Sequence, residues 1–322
     1  MTAENVTAES LNAESLNAES LNGERDPDGP LATGQSVVDA LVTLLDLEPL
    51  EVNMFRGISP KVSMQRVFGG QVAGQALVAA GRTVDAPRAV HSLHSYFIRP
   101  GDPTVPIIYT VDRIRDGHSF SVRRVVAVQH GAPIFTLSAS FQLPQGGIDH
   151  QVEMPDVPAP ETLPTLAQRY EGFDELAQLA RRIPQAFDVR YIDDPPWVQR
   201  GLGPRENQPH RIWLRTDGRL PEDPLMHVCA VTFASDLNLL DSVLIHHGLA
   251  AQLDPISMAS LDHAMWFHRQ FRADEWLLYI SGSPSASGGR GLGIGRFFTQ
   301  DGRHVVSVAQ EGMIRLPNVT EQ

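Results

Sequence analysis

Three polar residues in the second half of this 322-residue chain stand in apolar company. Asp236 closes the apolar run Leu225–Asp236, which has helical length. Burial at a helix end raises a carboxylate's pKa toward the range of a general base. Gln310 alternates with Val306 and Val308, so on a strand its amide shares their face. An amide there needs a partner. Ser260 opens a further extended run with a hydroxyl. A carboxylate, an amide and a hydroxyl together suit activation of a water molecule. Each alone also has a plainer reading: a helix-end carboxylate, an amide tying backbone together, and a turn or N-cap hydroxyl.

The elements that must position them are written twice. Tyr96-Phe97-Ile98-Arg99 reappears as Trp266-Phe267-His268-Arg269, a shift of 170, and residues 129–135 reappear at 300–306, a shift of 171. Two blocks in one order at nearly one spacing point to two copies of a structural unit. At these shifts Gln310 falls on Ala139 and Ser260 on Val90. A polar site kept in one copy and lost from the other leaves that asymmetry.

In the first copy a helix is expected from Ser36, its N-cap, then an extended stretch at Val52–Ile58. The small-residue run Gly69–Gly81 follows, a helix able to lie close to other backbone if a sheet curls around it. Strands are expected at Val90–Arg99, Val105–Arg113, Phe120–Gln129 and Ala132–Gln142, with a hairpin signal at Gln129-His130-Gly131. Residues 144–184 are Pro-rich, then helical at Asp174–Arg182, and read as a linker. The second copy resumes at Phe187–Tyr191. After the helix Leu225–Asp236 come strands at Ser260–Arg269, Trp276–Ser283, Gly291–Gln300 and His304–Arg315. Helix followed by consecutive strands, twice, is an α+β order. The predicted units are 36–143 and 185–316. The segment Leu237–Ala259 is longer than its counterpart, and insertions beside a site often form part of it. Residues 7–22 repeat Ala-Glu-Ser-Leu-Asn with period five, which gathers the leucines on neither a helix nor a strand face, so 1–33 is expected to be a disordered tail.

Composition narrows the partners. A formal charge of -12 argues against nucleic acid and anionic membrane. Lys61 is the lone lysine, so the positive charge is arginine, which suits bidentate phosphate contacts. Cys229 is the one cysteine; it excludes an intramolecular disulfide and a cysteine zinc site, and its apolar neighbours predict a buried, inert thiol. No run is expected to match a membrane span of about 20 apolar residues. The N-terminus lacks a secretory pattern and the C-terminus a peroxisomal tripeptide, so a cytoplasmic protein is expected.

Four stretches carry a resemblance to a known family: Phe68-Gly69-Gly70-Gln71, residues 91–101 (His91 to Gly101), residues 262–269 (Asp262 to Arg269) and Gln310-Glu311-Gly312. In this order they resemble the type II acyl-CoA thioesterases, the TesB-like family, from about Ser36 to Arg315. The resemblance implies a double hotdog, two units each of a long helix wrapped by an antiparallel sheet. It also implies hydrolysis of acyl-CoA to fatty acid and CoA with no cofactor, metal or covalent intermediate. It assigns the catalytic positions to Asp236, Ser260 and Gln310, which orient the attacking water. Ser260 stands where some members have Thr. The hydroxyl is kept, but serine is less confined in rotamer. Gly69, Gly70, Gly289, Arg290, Gly291 and Gly312 are expected along the substrate path, and a homodimer or homotetramer is expected from exposed sheet edges.

Other signals point elsewhere and are weaker. Gly-x-Ser-x-Gly is absent, which weakens a serine-hydrolase reading. His91 and His94 have an odd spacing, which on a strand sends them to opposite faces. His246-His247 reads as surface or as a lip of the acyl channel. Asp262 and His268 invite comparison with hotdog hydratases, yet their spacing puts them about 20 Å apart along a strand. A hydratase or dehydratase, and a non-catalytic acyl-CoA sensor, therefore stay as alternatives.

Overall fold

The computed structural model describes residues 31–60, 66–181, 183–206 and 208–317. The expectation of a disordered tail falls almost wholly on residues 1–30, outside the described residues. Helix α1 (Gln35–Leu45) leads to the short strands β1 (Glu48–Glu51) and β2 (Met54–Gly57), then to helix α2 (Gly69–Gly81). Strands β3 (Ala89–Phe97), β4 (Ile107–Asp116), β5 (Phe120–Gln129) and β6 (Ala132–Gln142) complete the first half. The β5–β6 hairpin turns at His130 and Gly131, both with positive φ (50° and 73°), as a two-residue turn matched to strand twist requires. After α3 (Leu166–Arg169) and α4 (Asp174–Arg181) come β7 (Phe187–Tyr191), α5 (Pro196–Leu202), β8 (His210–Thr216), α6 (Pro224–Asn238) and α7 (Asp241–His246). Strands β9 (Ser257–Ser260), β10 (Asp262–Phe267), β11 (Leu277–Ser287), β12 (Arg290–Thr299) and β13 (His304–Arg315) finish the second.

One 13-stranded sheet runs β1-β2-β4-β5-β6-β3-β10-β13-β12-β11-β8-β7, with β9 on β13. That order is a palindrome about the β3–β10 junction, and every neighbouring pair is antiparallel. At the junction Ala264 faces His94, its own equivalent at the shift of 170, so the pseudo-twofold axis passes between them. The shifts hold through the ladders. Phe97↔Phe135 becomes Phe267↔Val306, and Val90↔Phe141 becomes Ser260↔Gly312. Even the register breaks repeat: one after Ala127 on β5 recurs after Phe297 on β12. This is the double hotdog implied by the resemblance.

Helices α2 and α6 lie antiparallel against one another. A Cβ on Gly70 would sit 2.4 Å from the Phe233 carbonyl oxygen, and one on Gly74 would sit 3.4 Å from that of Cys229. The small residues of α2 thus serve a helix–helix contact, where the sequence suggested only a curling sheet. Buried Tyr109 and Tyr279, equivalent on β4 and β11, tie the sheet to this pair: Tyr109 donates to Gln75 Oε1 (2.7 Å) and Tyr279 to the Ser235 carbonyl (3.4 Å).

Some expectations need correction. Ser36 does not cap α1; the N-cap is Gly34, without a side-chain bond. The strand expected at Ser260–Arg269 is broken at Leu261, whose N–H donates to the Glu311 carbonyl and whose carbonyl accepts from Phe97. Segment 144–184 is more than a connector: Pro158 accepts from the Trp213 indole, and Met154, Val157 and Leu163 pack on Trp213, Trp276 and Phe298. Contrary to the expectation about apolar runs, Pro224–His246 is 23 residues long and holds an 18-residue window of mean hydropathy 1.6. Most of it, 78%, is buried against the rest of the protein, as in a core helix.

Candidate active site

Asp236 sits in the last turn of α6, Ser260 at the end of β9 and Gln310 within β13. The structure brings the three together. Gln310 Nε2 donates to Asp236 Oδ1 (2.5 Å) and to Ser260 Oγ (2.7 Å), and Ser260 Oγ donates to Asp236 Oδ1 at 3.3 Å. The Asp236 carboxylate also accepts from the Gly70 N–H in the first turn of α2. Such N–H groups have no partner within their helix, so the carboxylate of one half is received by the helix start of the other. Burial nevertheless pushes Asp236 up to about 6, against the pull of Gln310, Gly70 and Ser260. A carboxyl at that value exchanges protons near neutrality.

Asp236 and Ser260 line a cavity of about 250 Å³ walled by Phe97, Phe135, Leu237 and Leu240, with Arg99 and Pro100 at its exposed edge. Gly69 lines it too, and a Cβ there would lie 2.7 Å from Asp236 Oδ2. Of the other residues expected along the substrate path, Gly70, Gly289, Arg290, Gly291 and Gly312 do not line this cavity. Gly291 and Gly312 admit helix packing instead, since a Cβ at either would meet Val243 at 2.5 Å or Leu240 at 2.4 Å. Gly289 (φ +73°) turns the β11–β12 hairpin, and Arg290 pairs with Glu311 across the strands. His246 and His247 also lie off this lining.

Sequence reasoning gave no role to His263, which proves to be 1% exposed and beside the site. Its Nε2 lies 2.8 Å from Ser235 Oγ, while its Nδ1 and Gln310 Oε1 are each buried without a partner. Burial pushes its pKa down to about 4, although the Gln310 amide favours the charged ring. The Ser235 hydroxyl donates to the Thr232 carbonyl (2.9 Å), so Nε2 is placed to donate to Ser235 Oγ, which leaves Nδ1 as a buried acceptor in the neutral ring. The signal was present: His263 alternates with Met265 and Phe267.

The first half has no such site. Ala139 and Val90 hold the registers of Gln310 and Ser260. Opposite Ala139 stands buried Arg123, bonded to Thr83 Oγ1 (2.8 Å) and the Thr83 carbonyl (3.0 Å) beyond the end of α2. Opposite Gln310 stands Gly293, and there a Cβ would lie 2.9 Å from the Leu239 carbonyl just past α6. Glycine lets the end of α6 descend onto the sheet and reach Gln310; arginine holds the end of α2 away.

The hydratase pair does not assemble. Asp262 Oδ1 accepts from the Glu311 N–H (2.7 Å), and exposed His268 bonds Ser307 (2.9 Å). Cys229 is fully buried, and burial raises its pKa, so the thiol stays protonated.

Family models match both halves: an acyl-CoA thioesterase N-terminal domain over residues 58–142 and an acyl-CoA thioesterase domain over 182–313. The chain belongs to the acyl-CoA thioesterase family. This thioesterase is 43% identical over 310 residues to acyl-coenzyme A thioesterase 8 of Homo sapiens, covering 93% of this chain and 95% of that one. It is 35% identical to acyl-CoA thioesterase 2 of Haemophilus influenzae, over 87% and 98% of the two chains. The crystal structure of acyl-CoA thioesterase II TesB2 from Mycobacterium marinum superposes with a TM-score of 0.71 at 46% identity, covering 88% of this chain and all of that one.

Proposed function

We propose that this acyl-CoA hydrolase works by direct attack of one water molecule on the thioester, with Asp236 as general base and no acyl-enzyme intermediate. The observation that carries the reading is the convergence of Gln310 Nε2 on both Asp236 Oδ1 and Ser260 Oγ, from three separate elements, at the wall of one cavity. Asp236 takes a proton from water as the water oxygen bonds to the thioester carbon. The carbonyl becomes an oxyanion, and the start of α2, whose Gly70 N–H is taken by Asp236, offers it the helix's remaining first-turn N–H groups. When the C–S bond breaks, the departing thiolate takes the proton from Asp236, which leaves fatty acid and CoA. Gln310 and Ser260 hold the carboxylate and the water.

We further propose that the protein works in a reducing cytoplasm, a reading supported by its single, buried Cys229. Self-association as a homodimer or homotetramer is supported by the edge strands β1 and β7 at the two ends of the sheet. Sedimentation would measure the oligomer.

The test of the reaction is release of free CoA thiol from acyl-CoA across several chain lengths, followed with a thiol reagent. Thiol release is expected from saturated substrates. Binding without thiol release would make the protein a sensor, and loss of enoyl absorbance without thiol release would make it a hydratase.

A further inference from the structure

The cavity that holds Asp236 contains a second carboxylate, Asp241, at the start of α7. Asp241 is 6% exposed. One hydrogen bond reaches it, from Asn238 Nδ2 to Oδ2 at 3.2 Å, and no ion pair among the described residues includes it. Burying a carboxylate with so little compensation is costly, and natural sites offset the cost with hydrogen-bond donors. On the same wall Leu237, Leu240 and Phe97 supply none, and neither the Gln252 amide nor the nearby hydroxyls of Tyr170 and Tyr191, which feel its charge, bonds it.

Next to the catalytic cavity lies a second, smaller one of about 70 Å³, lined by Tyr170, Trp197 and Phe233 among others. It shares Leu237 and Gln252 with the catalytic cavity, and Asn238, the partner of Asp241, lines it as well. Asp241 is buried while Arg99 and Pro100 at the edge are exposed, so it belongs to the inner part of the catalytic cavity's wall. The phosphates of CoA carry charge and belong at that wet edge. The inner end is left to the acyl group.

We propose that Asp241 accepts a hydrogen bond from a hydroxyl group on the acyl chain, so that this thioesterase prefers hydroxylated acyl thioesters to plain ones of equal length. A plain chain leaves the buried carboxylate with Asn238 as its one donor, whereas a hydroxyl of the right position adds a second. A site built to bond a substrate hydroxyl discriminates strongly against the analogue that lacks it. The raised pKa of Asp241, pushed by burial to about 6, agrees with a group short of donors.

The proposal needs the acyl group to occupy this cavity, as in the hydrolytic reading, but not Asp236 to be the base. The test is therefore one of binding, with non-hydrolysable S-alkyl-CoA thioethers and their hydroxyalkyl counterparts of the same length, the hydroxyl placed at successive carbons. Dissociation constants are measured by calorimetry for the wild type, Asp241→Asn and Asp241→Leu. At one hydroxyl position the wild type is expected to bind the hydroxylated analogue about tenfold tighter or more, the range of a hydrogen bond to a charged group. Asp241→Leu should abolish or reverse that preference while still binding the plain analogue. The near-isosteric Asp241→Asn, which keeps an acceptor oxygen, should retain part of it. The same ratio of the two analogues in all three proteins at every position would overturn the proposal. Equal weakening of both analogues in the variants would also overturn it, and would mark Asp241 as structural or as a contact to CoA.

Discussion

Gln310 Nε2 lies 2.5 Å from Asp236 Oδ1, although the residues are 74 apart in sequence and ride on β13 and α6. The same nitrogen reaches Ser260 Oγ, so one amide fixes both the base and the hydroxyl beside it. With Oε1 facing away from the carboxylate, the amide presents only donors to Asp236.

Removal of this amide should therefore cost more than one hydrogen bond. Gln310→Ala is expected to lower kcat by about 10²–10³-fold, the scale seen when a positioned donor is lost from a site of this kind, with KM little changed. Ser260→Ala should cost less, since Gln310 still holds the carboxylate, and Ser260→Thr should keep most activity. Steady-state kinetics on one acyl-CoA check the ordering. Equal, small effects for Gln310→Ala and Ser260→Ala would argue against a shared anchor.

Asp236 and Asp241 share an unusual response to pH. Burial raises both to about 6, above the ordinary aspartate value of about 4. Between those values the folded protein holds protons that the unfolded chain has released. Stability should therefore fall as pH rises from about 4 to about 6, then level off. Activity runs the other way, since the base must be ionised, so kcat should rise as pH climbs through about 6. Asp241→Asn removes one buried charge. It is expected to raise Tm at pH 7.5 and give no gain at pH 4, as read by thermal unfolding at the two pH values.

The contact between halves makes its own prediction. At Gly70 a methyl group would meet a backbone carbonyl, that of Phe233, which cannot rotate away. Gly70→Ala should cost about 1–3 kcal/mol of stability, the usual range for overpacking, and should move the Gly70 N–H off Asp236. Both Tm and kcat are expected to fall. At Gly81 the nearest atoms are the flexible tips of Leu225. Gly81→Ala should therefore keep kcat near the wild-type value, and full activity in Gly70→Ala would show that the α2 start does not matter to the base.

Periodicity and repetition made much of this legible. The shifts of 170 and 171 anticipated the palindromic sheet, because equivalent strands must keep one register to bury one face. The alternation of Gln310 with two valines marked its side as inward, and β5, β6 and β13 began and ended where their patterns did. What stayed hidden depended on the third dimension. The break at Leu261 is set by hydrogen bonds to Glu311 and Phe97, residues remote in sequence. That Gly291 and Gly312 make room for Val243 of α7 and for Leu240 could not be read from the sequence. Helix α7 lies within Leu237–Ala259, the segment that is longer than its counterpart in the first copy, so repetition gave no guide to Asp241. His263 was legible as an inward residue from its alternation with Met265 and Phe267, but its bond to Ser235, on α6, was not.

Whether Asp236 is the base is settled most directly by Asp236→Asn, a change of nearly equal shape that keeps an acceptor for Gln310 and removes the proton-accepting charge. Turnover of one acyl-CoA and affinity for its non-hydrolysable thioether are measured on the same preparation. Expected is a fall in kcat of about 10²–10⁴-fold, the usual worth of a general base, with thioether affinity within a few-fold of the wild type. Turnover near the wild-type rate would rule out Asp236 as the group that activates the water.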